Sequence, residues 1–328
     1  MIVVTGGAGF IGSNLVAALE EETNEDIIVC DYIDSSDKWQ NIKKRKRKEV
    51  ISPDNLLQWL SDHISKVEII FHLGAISSTT ERNTEQIVSN NYCFSQNLWK
   101  ICTNHNLRLI YASSAAVYGN GNAGFEDKVS LPYMEKLYPL NPYGWSKLLF
   151  DQKVAYYSEV KNFMPLQWAG LRFFNVYGPN EFHKKNQQSV IPQFWKQIKE
   201  TGEAKLFKSY DPKYPDGGQM RDFIYIDDCI NVMIWLYENI NTSGIFNVGT
   251  GQARTFEDVA KAISDGQKTN TNIEYFHMPP NVKKHYQYFT QADIKNLRDA
   301  GYTKNFTSLE DGVNAYIENF LATNDPYR

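Results

Sequence analysis

Tyr143 and Lys147 stand four apart in Tyr143-Gly144-Trp145-Ser146-Lys147, one turn apart on one helix face. A phenol titrates near pH ~10, so alone it is a poor base at neutral pH. A neighbouring ammonium favours the phenolate. Such a pair can take a proton from a hydroxyl, or return one, while the carbon beneath it changes oxidation state. Among 20 tyrosines the spacing also arises as a plain exposed helix pair. Position adds to it. Ser113-Ser114 closes the apolar run 109–112, which reads as a strand ending at the carboxyl edge of a sheet. Ligands of open α/β folds bind outside that edge. Ser114 can hydrogen-bond a substrate hydroxyl beside Tyr143, or cap the next turn.

The N-terminus offers a place for the partner that takes the electrons. Gly6-Gly7-Ala8-Gly9-Phe10-Ile11-Gly12 follows the strand-like Ile2-Val3-Val4-Thr5 and opens a helix-like segment over 13–19. Glycines at 6, 9 and 12 let the backbone turn tightly against a pyrophosphate, and the helix N-terminus offers it unpaired N–H groups. Asp31 ends the next apolar run, where the ribose hydroxyls of a dinucleotide are received. A cationic nicotinamide beside Tyr143 would favour the phenolate further.

These residues need a scaffold, and the pattern describes one. Strands at 2–5, 27–31, 67–73, 107–113 and 166–173 alternate with helical stretches such as 90–103 and 143–157. This predicts an α/β fold with a doubly wound parallel sheet. Residues 1–174 form the expected dinucleotide-binding domain. Beyond residue 175 the pattern loosens, with Pro179, Pro212, Pro215, Gly217 and Gly218. Residues 175–328 are expected to be mainly a smaller, substrate-binding lobe. The helix after Asp227-Asp228 and the strand 244–248, within 222–250, return to the first domain. The length of 328 residues suits two such lobes.

A net charge of −4 gives no global basic field, so nucleic acid is not an expected partner. No apolar run approaches the ~20 residues that span a bilayer, so no membrane role is expected and a cytoplasmic location is. Cys30, Cys93, Cys102 and Cys229 have no metal-ligand or disulfide spacing. They read as buried thiols, and no metal site is expected. Lys43-Lys44-Arg45-Lys46-Arg47-Lys48 reads as a solvated surface run. Its nearness to Asp31 also allows an approach to a 2′-phosphate.

Taken together the chain resembles the extended short-chain dehydrogenase/reductases, and within them the nucleotide-sugar epimerases. The resemblance rests on the segments Thr5-Gly6-Gly7-Ala8-Gly9-Phe10-Ile11-Gly12, Tyr111-Ala112-Ser113-Ser114 and Arg172-Phe173-Phe174-Asn175-Val176-Tyr177-Gly178-Pro179. Arg221-Asp222-Phe223-Ile224-Tyr225 and Phe246-Asn247-Val248-Gly249-Thr250-Gly251 belong to the same set. Gly74-Ala75-Ile76-Ser77-Ser78-Thr79-Thr80-Glu81, Glu181-Phe182-His183-Lys184, Lys205-Leu206-Phe207 and Tyr286-Gln287-Tyr288-Phe289-Thr290-Gln291-Ala292-Asp293 are similar to one branch. That branch is the ADP-heptose 6-epimerases, which finish the heptose donor of the lipopolysaccharide inner core.

The resemblance implies a Rossmann-type fold, a tightly bound nicotinamide cofactor in each subunit, an ADP-sugar substrate and a homo-oligomer. It implies that Phe10, Ile11, Asp31, Tyr32 and Lys38 line the adenosine half of the cofactor. Leu73, Gly74, Ala75, Ile76, Ser77 and Asn90 would line the middle, and Lys147, Val176 and Lys184 the rest. Tyr143 and Lys184 would be the two acid/base residues, with Ser114 and Lys147 assisting. Ser77, Asn175, Asn186, Gln193, Phe207, Lys208, Ser209, Tyr210, Arg221 and Tyr286 would hold the ADP-sugar. The chain departs from the family pattern at Leu73, Asn186 and Gln193, and the loop 210–219 is longer than usual.

The activity implied is inversion of C6 in ADP-D-glycero-D-manno-heptose by transient oxidation and re-reduction. Asp31 favours NAD, since it repels a 2′-phosphate. Nearby lysines, Lys38 first, offset that charge, and NADP is the expectation with NAD as the alternative. A UDP- or dTDP-sugar 4-epimerase or 4,6-dehydratase is the other enzymatic reading. Ala115 and Ala116 stand where a dehydratase usually carries an acidic pair. A non-catalytic dinucleotide-binding scaffold is the remaining reading, and Ser114, Tyr143 and Lys147 argue against it.

Overall fold

Short apolar runs separated by helical stretches fold as strands buried on both faces. The computed structural model describes residues 1–33, 37–283 and 286–328, and only the backbone of Asn186 and Asn281. The strands are β1 (Ile2–Thr5), β2 (Ile27–Cys30), β3 (Glu49–Ile51), β4 (Ile69–His72), β5 (Arg108–Ser114) and β6 (Gln167–Phe173). They continue with β7 (Asn175–Tyr177), β8 (Glu203–Phe207), β9 (Met220–Tyr225), β10 (Gly244–Val248), β11 (Ala253–Thr255) and β12 (Asn272–Phe276). Seven form one parallel sheet in the order β10-β6-β5-β4-β1-β2-β3. The order reverses between β1 and β4, the crevice where such sheets take dinucleotides.

Helices cover both faces. Phe10–Glu22 and Ile226–Glu238 bury Leu15, Leu19, Val232 and Met233 in one apolar cluster. That cluster runs on through Ile191, Leu206 and Ile263, beneath the helices Val190–Thr201 and Phe256–Gln267. Pro53–His63, Phe94–Asn104 and Pro142–Tyr156 pack on the other face through Leu56, Leu98, Trp99 and Phe150. Two smaller sheets, β11-β9-β7 and β12-β8, stand beside the large one.

The strand expectations hold to within a residue or two, and 244–248 does return to the main sheet beside β6. Two elements differ. β3 was not anticipated: Glu49 and Val50 are exposed, only Ile51 is buried, and the strand follows directly on the basic run. The helix expected over 90–103 is split. A π-helical segment, Val88–Cys93, precedes the α-helix Phe94–Asn104. Cys93, on that segment, is exposed and not buried, whereas Cys30, Cys102 and Cys229 are buried. Among the described residues no helix is long and apolar enough to cross a membrane, and no His/Cys/Asp/Glu group is placed to hold a metal.

Candidate active site

The glycine turn forms a cradle that only glycine permits. Gly6 has φ +67, and a Cβ there would lie 2.6 Å from the Gly74 nitrogen. A Cβ on Gly12 would fall 2.1 Å from the Gly6 carbonyl oxygen. Gly9 is the N-cap of the helix Phe10–Glu22, and no side chain caps its first N–H groups. The helix end therefore faces the cleft with unpaired donors, the arrangement that receives a pyrophosphate. These residues fit a dinucleotide.

The cleft above the cradle encloses about 830 Å³. Gly6, Gly9, Phe10, Ile11, Gly12, Asp31 and Lys38 form one end. Leu73, Gly74, Ala75 and Ser77 follow, from the loop after β4. Ser114, Tyr143, Lys147, Asn175 and Val176 line the cleft as well, and Lys184 reaches in over Phe10. Thr79, Thr80, His183, Gln187, Gln188, Phe223 and Phe256 line it too, and sequence reasoning did not single them out as site residues. Asp31 also borders a shallower recess of about 370 Å³ with Tyr32, Ile33, Val50, Ile51 and Ser52. Tyr32 sits there, its hydroxyl donating to Asp54 at 2.7 Å.

Both oxygens of Asp31 have partners. One accepts the Ala8 N–H at 3.0 Å, which ties it to the cradle. The other accepts Lys38 Nζ at 3.0 Å, so an ammonium offsets the carboxylate at the ribose end.

Asn141 and Pro142 start the helix Pro142–Tyr156, which carries Tyr143 and Lys147. The Asn141 side chain accepts the Gly144 N–H at 2.8 Å, and Pro142 occupies the first turn. Tyr143 is hydrogen-bonded to Ser114; burial pushes its phenol up and the Ser114 bond pulls the other way. Lys147 donates to the Ala112 carbonyl at 2.8 Å. Burial pushes its ammonium down to about 8, against the pull of the Asp151 carboxylate. Ser114 lines the cleft, and its oxygen caps the next turn by accepting the Ala116 N–H at 3.1 Å.

Asp151, one turn beyond Lys147, was missed. It accepts Arg172 Nε at 2.9 Å, Ser113 Oγ at 2.9 Å and the Tyr111 hydroxyl at 3.1 Å, and both ions of the pair are wholly buried. The pair locks the helix to β5 and β6. A carboxylate four residues after Lys147 was the available signal.

Lys184 and Lys185 separate cleanly. Lys184 lines the cleft with Nζ 5.4 Å from the Phe10 ring centre. Burial pushes its ammonium down, and Glu181 opposes the shift. Glu181 is itself buried and accepts from Gly178 N at 3.3 Å, Ser189 N at 2.5 Å and Ser189 Oγ at 2.9 Å. Lys185 takes φ +51 and is exposed. The side chain of Asn186 lies outside the described residues.

The other expected sugar contacts are not among the residues that line the cleft. Gln193 is exposed and donates to the Gln188 and Ser189 carbonyls at 3.0 and 3.1 Å. Arg221 is buried with its guanidinium 5.7 Å from the Phe256 ring and 5.3 Å from Tyr286, so it stands behind a ring that lines the cleft. Phe207 packs edge-on to Tyr286 at 6.1 Å. The carbonyls of Phe207 and Lys208 both accept from the Gln219 side chain. Ser209 N donates to Asp216 at 2.7 Å, and the Tyr210 hydroxyl meets His277 Nδ1 at 2.6 Å. Asn90 is half-buried on the π segment and Ile76 is bonded to Asn91, the neighbour that turns inward.

Five of the six cations of the basic run have partners within the protein. Lys44 pairs with Asp325 at 2.8 Å, Arg45 with Glu20 at 3.4 Å and Lys48 with Asp26. Arg47 donates to two carbonyls, and Lys43 lies 5.3 Å from the Tyr327 ring.

His72 is a core histidine. It contacts Thr5 Oγ1 at 2.7 Å and Ser95 Oγ at 2.8 Å, with the Phe94 ring 5.7 Å away. Burial, helped by the Lys147 ammonium, pulls its imidazole from 6.5 down to about 3. In that interval the unfolded chain holds a proton that the folded chain does not, so stability falls as the pH drops through it. His72→Gln takes up no proton and is expected to flatten the fall of Tm below pH ~6.5. An unchanged acid slope would contradict this.

The profile of the NAD dependent epimerase/dehydratase family matches residues 2–249. An ADP-L-glycero-D-manno-heptose-6-epimerase of Fusobacterium nucleatum subsp. nucleatum is 44% identical over 335 residues, covering 100% of both chains. The crystal structure of the Helicobacter pylori ADP-L-glycero-D-manno-heptose-6-epimerase superposes with a TM-score of 0.77 at 31% identity, covering 97% of this chain and 95% of that one. A UDP-N-acetylglucosamine 4-epimerase from Methanobrevibacter ruminantium M1, in complex with UDP-N-acetylmuramic acid, gives 0.78 at 26% identity, covering 97% and 98%.

Proposed function

The chain belongs to the NAD dependent epimerase/dehydratase family and, within it, to the ADP-L-glycero-D-manno-heptose 6-epimerases, and on that premise we propose how its cleft works. It inverts C6 of the heptose in ADP-D-glycero-D-manno-heptose, giving the L-glycero epimer for the lipopolysaccharide inner core. The observation that carries the mechanism is one cleft lined both by the glycine cradle and by Ser114, Tyr143, Lys147 and Lys184.

The C6–H bond is not acidic, so no side chain can invert that carbon by simple deprotonation. When bound, the nicotinamide supplies the reversible removal and return of that hydrogen with its electron pair. The chain supplies the proton chemistry. Tyr143 exchanges the hydroxyl proton of one epimer, accepting it when that carbon is oxidised and donating one in the reverse direction. Burial alone works against a phenolate, so the Lys147 ammonium one turn along must offset it. Ser114 orients the hydroxyl beside Tyr143. The hydroxyl points opposite ways in the two epimers, and Lys184 serves the second. Its lowered affinity for a proton suits it to give one up and take it back.

Among the described residues lining the cleft the one carboxylate is Asp31, and it is held at the ribose end by Ala8 and Lys38. That disfavours the dehydratase reading, which needs an acid near the sugar.

The cofactor form we propose is NADP. Lys38, already on Asp31, is the cation placed to receive a 2′-phosphate. Lys43, Lys44, Arg45, Arg47 and Lys48 of the basic run have other partners, whereas Lys38 lines the cleft. Lys38→Ala is expected to weaken NADP about tenfold more than NAD at low salt. The difference shrinks as salt rises. Equal weakening of both, read by equilibrium titration, would point to NAD.

The direct test of the whole reading is mass spectrometry of the cofactor released from purified protein, followed by an ADP-heptose epimer assay. Released NADP and interconversion of the two epimers are expected. A protein that binds dinucleotide and leaves both epimers unchanged would be a binding module instead.

A further inference from the structure

We infer that His72 and Asn91 are positioning residues for the epimerisation, because a buried hydrogen-bond chain through them ties the turn that carries Tyr143 to the two loops that would hold the cofactor. The inference rests on the reading of Tyr143 as acid/base and of the glycine cradle as the cofactor seat.

The links are continuous. Asn91 donates to the Ile76 carbonyl and to Ser146 Oγ, both at 3.0 Å, and accepts the Ile76 N–H at 2.8 Å. Ser146 passes its own hydrogen to the Tyr143 carbonyl at 2.7 Å. On the other side, Ser95 Oγ donates to the Asn91 carbonyl at 2.7 Å. Its single hydrogen is then used, so towards His72 Nε2 at 2.8 Å it must accept. That fixes the tautomer: His72 carries its proton on Nε2, and Nδ1 accepts from the Thr5 hydroxyl at 2.7 Å. Thr5 Oγ1 in turn accepts the Gly74 N–H at 3.1 Å. From Thr5 to Ser146 each side-chain hydroxyl or ring N–H has one donor role and fills it.

The ends of the chain are the informative part. Thr5 immediately precedes the cradle, and Gly74 packs so close to Gly6 that no Cβ fits between them. One end therefore fixes the contact between the two loops that wall the cofactor half of the cleft. The other end fixes the first turn of the helix Pro142–Tyr156. Thr5, His72, Asn91, Ser95 and Ser146 are all buried, so water cannot replace a lost link. A satisfied buried network of this kind holds one geometry.

Asn91 lies on the π-helical segment Val88–Cys93, with its side chain buried between the Ile76 loop and Ser146. Such segments cluster at functional sites.

The test uses the full-length protein purified with its bound cofactor. Asn91→Leu removes the amide at similar volume, and Ser146→Ala removes the last link without touching either cofactor loop. Each is expected to lower kcat roughly tenfold to a hundredfold, as a small misplacement of the acid/base does. KM for the ADP-heptose should stay within about threefold and cofactor content should stay full. The double variant should be no slower than the slower single, because both cut one chain. His72→Gln, which keeps an N–H for Ser95, should recover most of the kcat lost in His72→Phe.

Normal kcat in Ser146→Ala, additive losses, or a loss that only follows missing cofactor would overturn the proposal. Should Asn91→Leu fail to fold, Ser146→Ala and the His72 pair decide. Tyr143→Phe is run beside them. If it turns over normally, the acid/base reading falls and this proposal with it. If it is inactive while Asn91→Leu and Ser146→Ala are normal, the positioning proposal alone falls.

Discussion

Tyr143→Phe is expected to lower epimerase turnover by roughly a hundredfold or more while the protein keeps its cofactor. The change removes one oxygen and leaves the ring, so the packing of the helix start is preserved. What is lost is the group that takes the sugar hydroxyl proton, and the partner of Ser114. Nothing else in the first turn replaces it. Ser114 is no base at neutral pH, and Lys147 is occupied by the Ala112 carbonyl. Cofactor content, read from the absorbance of the released dinucleotide, should match the unaltered protein. Turnover near the unaltered rate would remove Tyr143 from the mechanism.

Lys184→Ala is expected to abolish epimerisation, with a loss again of roughly a hundredfold or more, whereas Lys185→Ala should change the rate less than about threefold. The two neighbours differ only in where the backbone sends them. Lys184 is turned into the cleft above Phe10, with Glu181 buried behind it. Lys185, at φ +51, is exposed. The comparison also controls for charge, since each variant loses one cation from the same loop. Removing the Lys184 ammonium leaves one epimer without a group to take its hydroxyl proton. Equal and small effects at both positions would contradict the two-base mechanism.

What could be read from the sequence follows physical constraint. The cradle was legible because its glycines are forced: a side chain at Gly6 or Gly12 has nowhere to go. Tyr143 and Lys147 were legible because four residues is one helical turn, and Ser114 because it ends a buried strand. The choice of Lys184 over Lys185 came from family likeness; no local pattern distinguishes two adjacent lysines. Asn91 was not singled out, because its partners Ile76 and Ser146 lie 15 and 55 residues away in the chain. The Asp151–Arg172 pair spans 21 residues and could not be paired from sequence. The partners of Lys44 lie at the far end of the chain, at Asp325 and Tyr327, so the basic run looked free when it is not. Of the expected sugar contacts, Ser77, Ser114 and Asn175 line the cleft, and Gln193, Arg221 and Tyr286 are not among its lining residues.

The central claim is that the hydrogen leaving C6 is the one that returns, with Tyr143 and Lys184 moving only oxygen-bound protons. Product formed in heavy water reads this directly, by mass spectrometry and by the proton resonance at C6. The account predicts no deuterium at C6 in the inverted sugar, full retention of label from substrate deuterated there, and no net consumption of cofactor. Solvent deuterium on C6 would mean that a side chain removes that proton outright, and would contradict the mechanism.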